Sequence, residues 1–133
     1  MVGHGVTFAH LWESMCGYEA QLDTEFSRTL ALELERIAVH VGDLSGACTD
    51  IAYQLGSAVF GRLRTPIINF LQEWCGNRIA KGLIRPGHNQ FPFTPALGER
   101  LKHVLMYLNP SLTKCPKSYF RYPVLCHVSN EPA

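Results

Sequence analysis

From Thr24 to about Leu55 the chain has no proline and is rich in leucine, alanine and glutamate. Leu30, Leu34, Ile37, Val41, Leu44, Cys48 and Ile51 recur there every three or four residues, the period of one face of a helix and not of a strand. A helix of that length with one apolar side has to bury it against other helices, so the run predicts a mainly α, helical-bundle fold. Gly42 and Gly46 weaken the helix locally and leave room for a neighbour to come close.

The remaining elements are shorter. His10 to Leu22 reads as a helix through Leu11, Met15, Tyr18 and Leu22. Ser57 to Trp74 reads as a second helix interrupted by Pro66, which predicts a kink or two short helices, with Gly76 placed to end it. Residues 77–93 hold Gly82, Pro86, Gly87 and Pro92 and read as loop, with a short strand at Ile79 to Ile84. Thr94-Pro95 has the form of a cap followed by proline in the first turn. The helix it opens runs through Leu97, Leu101, Val104 and Leu105, and Asn109-Pro110 is expected to stop it. The patterned part is residues 1–108, and 109–133 is an aromatic, basic tail with no sustained period.

Composition narrows the class. Hydrophobic residues are 47% and charged residues 17% of the 133, globular values with fewer charges than the roughly 25% usual for soluble domains. Such a surface is suited to being covered by partners. A formal net charge of +1 gives no electrostatic case for nucleic acid. Residues 1–10 lack the pattern of a signal peptide, and no apolar run reaches the roughly 20 residues that span a bilayer. Cys16, Cys48, Cys75, Cys115 and Cys126 form no C-x-x-C pair and read as free thiols of a reducing, cytoplasmic compartment.

On the long helix Glu33, Arg36, His40, Asp43 and Asp50 stay within a sector of roughly 100°, apart from the apolar face. Histidine is suited to take and give protons near neutral pH, and flanking charges can set its orientation and charge state. Periodicity alone leaves two readings: a solvated polar face or a row of proton carriers. Arg62, Arg64, Arg78 and Arg85 form a second group, suited to forked bonds to carboxylate or phosphate, or else to surface solubility with internal pairing to Glu33, Glu35 or Glu73. Cys75 reads as a small buried hydrophobe. His4, His10 and His88 lie near glycines without a second ligand at metal spacing, so no metal site is assigned.

Several elements together resemble a known family. They are Leu32-Glu33-Leu34-Glu35-Arg36-Ile37, His40, Gly42-Asp43-Leu44 and Asp50-Ile51-Ala52-Tyr53, then Arg62-Leu63-Arg64, Cys75-Gly76-Asn77-Arg78, Gly82 and Ile84-Arg85-Pro86-Gly87. In this order, over roughly residues 6–105, they resemble the large subunit of membrane-bound, energy-converting nickel–iron hydrogenases and the related D-type quinone-pocket subunit of respiratory complex I. The wording of Leu32–Arg36 and Cys75–Gly87 is nearer the hydrogenase-4 and formate-hydrogenlyase branch. The resemblance implies a helical-bundle core fragment of that large-subunit fold. It also implies an oxidoreductase, NADH-dehydrogenase-like, that couples electron transfer to quinone or protons with proton uptake.

By the same resemblance His40 and Asp50 are proton carriers, with Glu33, Arg36 and Asp43 beside them, and Arg78 and Arg85 lie beside a 4Fe–4S cluster held by a partner. The cysteine pairs of a nickel–iron centre are absent: Gly3-His4-Gly5-Val6 stands where the first would fall. The chain itself is therefore expected to bind no cofactor, with quinone held in the complex and NAD used only by the wider assembly. Implied partners are the iron–sulfur small subunit and the membrane subunits, which would hold the chain peripherally on the cytoplasmic side of the inner membrane. Lys81 stands where complex I subunits carry a histidine near the cluster. The β-rich part that completes the quinone pocket has no counterpart, and family chains are several-fold longer, so a fragment, a truncated frame or a degenerate paralogue is expected, inactive alone. The alternative reading is a non-catalytic helical scaffold or interaction fragment.

Overall fold

The computed structural model describes residues 1–88 and 90–119, with side chains as far as residue 109. Four helices follow one another: α1 (Val2–Cys16), α2 (Leu22–Asp50), α3 (Gln54–Cys75) and α4 (Pro95–Tyr119). No strand occurs among the described residues. The mainly α expectation holds.

The long amphipathic run forms α2, unbroken from Leu22 to Asp50. It buries Leu34, Ala38, Val41 and Cys48 against Phe60, Leu63, Ile67 and Phe70 of α3. The helix ends short of the expected Leu55 because Ala52 turns left-handed, at φ 60°. The Tyr53 N–H then bonds back to the Cys48 carbonyl at 2.7 Å. This three-residue reversal folds α3 back along α2. Gly56 is the close approach that makes the corner possible: a Cβ there would lie 2.4 Å from the Tyr53 ring and 3.0 Å from Cys48 Sγ. Of the two glycines expected to admit a neighbour, Gly42 meets the Arg64 side chain, whereas a Cβ at Gly46 would meet nothing within 4 Å.

Several boundaries differ from the sequence reading. The first helix is Val2–Cys16 and not 10–22, because Gly17 turns left-handed at φ 65° and closes it. Its glycine-bearing start is held by contacts rather than propensity. Val2, Val6 and Ala9 are buried, Gly5 lies against Ile84, and Glu35 accepts the Val2 and Gly3 N–H groups at 2.9 and 3.0 Å. That carboxylate satisfies helix-start donors and suits the positive end of the dipole.

α3 runs through Pro66 without dividing. The proline removes one bond, to the Arg62 carbonyl, while buried Leu63, Ile67 and Phe70 hold the helix on either side. Gly76, at φ 72°, ends α3 as expected. The proposed strand at 79–84 is a set of turns. Asn77 Oδ1 accepts the Ile79 and Lys81 N–H groups at 3.0 and 3.3 Å, and Ala80 and Gly82 have positive φ, which an extended strand excludes. Thr94 Oγ1 accepts the Leu97 N–H at 3.4 Å, so the cap is as expected. The stop at Asn109-Pro110 is not: α4 continues to Tyr119, since a proline costs one bond and need not end a helix.

The loop between α3 and α4 closes the body. Ala80 and Leu83 are buried, the Trp74 indole N–H donates to the Phe91 carbonyl at 3.1 Å, and Phe93 packs edge-on against both Trp74 and Phe26. Among the described residues no helix is long and apolar enough to cross a membrane.

Candidate functional site

The most constrained polar group is one the sequence reading passed over. Arg28, on the first turns of α2, is 2% exposed. Its Nη1 donates to Glu13 Oε2 of α1 at 2.8 Å and its Nη2 to Glu13 Oε1, a fork-to-carboxylate pair. Nη1 also reaches Glu25 Oε1 at 2.8 Å, and Nη2 reaches the Arg85 carbonyl at 3.1 Å. Glu13 Oε1 in turn accepts the Gly87 N–H at 2.8 Å. The pair therefore grips the loop on both sides of Pro86, and the Tyr18 hydroxyl adds a bond to the Gly87 carbonyl at 2.9 Å.

The Arg28 guanidinium bonded to it holds the Glu13 carboxyl down at about 2, against an ordinary 4.5, although burial acts the other way. Glu13 likewise raises the pKa of Arg28. His10 Nε2 lies 3.4 Å from Glu25 Oε1, so His10, Glu13 and Glu25 bring three ligand-type atoms within 4.8 Å of one another. Arg28 already bonds both carboxylates and sets a positive charge between them, which makes this an ion-pair network and a poor seat for a cation.

The polar stripe of α2 is placed as the sequence implied. Glu33, Arg36, His40, Asp43 and Asp50 are all exposed, opposite buried Leu34 and Val41. Arg36 Nη2 pairs with Glu33 Oε2 at 2.5 Å. His40 and Asp50 are not brought together: ten residues of helix put them roughly 15 Å apart along the axis. Asp50 is the last residue of α2, beside the Ala52 reversal.

Arg62, Arg64, Arg78 and Arg85 are all exposed, as surface arginines would be, and the carboxylates named as their partners pair elsewhere. Glu33 is taken by Arg36, Glu35 by the start of α1 and Glu73 by Arg100. Arg62 bonds the Tyr107 hydroxyl. Arg78 and Arg85 are exposed on the loop, with the backbone carbonyl of Arg85 fixed by Arg28. Cys16 is exposed and Cys48 and Cys75 are buried. Burial pushes the Cys48 thiol up, and Cys75 Sγ donates to the Leu71 carbonyl at 3.1 Å. These three stand on three different helices, so they do not supply the paired thiolates of a nickel–iron centre.

Curated proteins similar to this chain share one name, that of the D-type subunit of NADH-quinone oxidoreductase. Over 103 residues the chain is 32% identical to the Bacillus anthracis protein. It is 31% identical to that of Bacillus thuringiensis and 30% to that of Bacillus mycoides. Over that stretch the chain is similar to this D-type subunit. Each match covers 77% of this chain and 28% of the relative, so the chain spans little more than a quarter of the length of these proteins. No protein-family model matches it, and no solved structure does either. The similarity to the D-type subunit agrees with the complex I side of the resemblance, and not with the hydrogenase branch to which the wording of Leu32–Arg36 and Cys75–Gly87 pointed.

Proposed function

We propose that this chain forms part of a large subunit of an NADH:quinone oxidoreductase, where electron transfer to quinone is coupled to proton uptake. The supporting observation is its relation to the D-type subunit over 103 residues, 77% of the chain. The relatives' name favours quinone over protons as the acceptor.

In this reading His40 and Asp50 carry protons along α2, with Glu33, Arg36 and Asp43 setting charge between and beside them. The roughly 15 Å between His40 and Asp50 requires water or a partner's groups to bridge them. Arg78 and Arg85 present permanent positive charge toward a 4Fe–4S cluster held by an iron–sulfur partner, and the Glu13–Arg28 pair fixes the loop that bears Arg85. Quinone, when bound, supplies the two-electron redox chemistry. The stripe lies on an open helix face, so quinone would be enclosed only by what covers that face. The three described thiols, on three different helices, do not form the paired set a nickel–iron centre would need. Membrane subunits would hold the assembly at the cytoplasmic side of the inner membrane, and the chain alone would have no turnover.

The test is isolation of the tagged chain from its native cells under mild detergent. Co-isolation of an iron–sulfur protein with NADH:quinone reductase activity is the expected result. Recovery without either would overturn the proposal.

A further inference from the structure

Between α3 and α4 lies an open groove of about 410 Å³. Arg62 and Asn69 enter it from α3, Arg100, His103 and Tyr107 from α4, and Phe70 closes its floor. No carboxylate is among its lining residues. Arg62 is exposed, and its Nη2 donates across the groove to the Tyr107 hydroxyl at 3.1 Å. That acceptor is neutral: it aims the guanidinium without cancelling its charge. Arg100 meets Glu73 through Nε alone, at 3.2 Å, so its two Nη groups stay available. Two guanidinium forks, an imidazole and an amide thus converge from two helices, with one counter-charge at the rim among the described residues.

We propose that this groove binds a phosphate group. Several oxygens on one centre can accept from donors on both helices at once, and guanidinium forks match that geometry. A phosphate also supplies the negative charge that Arg62 lacks. A soluble phosphate compound and a phospholipid headgroup share this chemistry. The inference is independent of the reading as an oxidoreductase subunit.

The experiment titrates the whole chain, followed by amide NMR, with inorganic phosphate and separately with phosphatidylglycerol vesicles. Sodium chloride at equal ionic strength and phosphatidylcholine vesicles are the controls. Shifts confined to the amides around Asn69, Arg100 and His103 are expected. Response to phosphate identifies a soluble ligand, and response to phosphatidylglycerol alone identifies a headgroup.

Arg62→Gln should weaken binding about tenfold, as loss of one charged hydrogen bond does. Asn69→Asp, which places a carboxylate at an exposed groove position, should weaken it at least as much with helix content unchanged. The proposal is overturned if neither probe shifts these amides, if chloride shifts them equally, or if both variants bind like the parent.

Discussion

Arg28 occupies a helix position where its neighbours toward the core, Thr24, Ser27 and Ala31, are small. The room they leave is filled by the guanidinium and the Glu13 carboxylate. Arg28→Met should destabilise the chain by roughly 3–5 kcal/mol, because removing one member of a buried pair strands the other; urea unfolding of the two proteins measures it. The acid limb tests the same contact. A carboxyl depressed from 4.5 to about 2 contributes stability that is whole above pH 4.5 and lost as pH falls toward 2. Thermal unfolding across that window should fall steeply for the parent and flatten in Glu13→Gln. Ala52, at φ 60°, holds a conformation that costs an L-residue roughly 1–2 kcal/mol. Ala52→Gly should therefore raise the melting temperature, although glycine substitution usually lowers it. Neither site was legible in the sequence. Glu13 and Arg28 carry no pattern of their own until the fold brings residues 13, 28, 85 and 87 together, and a positive φ at alanine has no sequence signal.

At the scale of the elements, α2 was the most legible because its period is long and no proline interrupts it. The turn signals at Gly76 and Thr94 were legible for the same kind of reason: each acts through its own backbone. What failed were the ends decided by tertiary contact. α1 begins among glycines because Gly5 sits against Ile84 and Glu35 caps the first amides, and α3 passes Pro66 because the core grips it. The deepest positions of α2 also include Ala31, 0% exposed, while Leu44 and Ile51 of the expected apolar face are exposed. Alanine carries little hydrophobic signal but admits the closest packing. The stripe on the opposite side predicts a functional result. Grafted into a full-length D-type relative, Asp50→Asn should slow turnover by roughly 10²–10⁴-fold if Asp50 relays protons, with cluster content unchanged, as steady-state quinone reduction and iron analysis would show. Turnover at the parent rate would make Asp50 a plain helix-terminal carboxylate.

Across the whole molecule, the outer face of α1 is the conspicuous unpaired surface. Phe8, Leu11, Trp12 and Met15 fall at helical spacing along it, with Leu11 59% and Met15 73% exposed. A patch of that kind drives association. Light scattering should show the purified chain self-associating at micromolar concentration, and Leu11→Glu with Met15→Glu should restore a monomer at unchanged helix content. The ion pair beneath that same helix has a further consequence, in time. The hairpin of α2 and α3 is joined by three residues, whereas the Glu13–Gly87 bond links positions 74 apart. Local contacts form early and distant loop closures late. The hairpin should therefore be the nucleus, and the Arg28 lock the last part to shut. Destabilising that lock should appear almost entirely as faster unfolding, with the folding arm of the denaturant chevron hardly moved. The helix that carries the sticky face is then also the first to swing open.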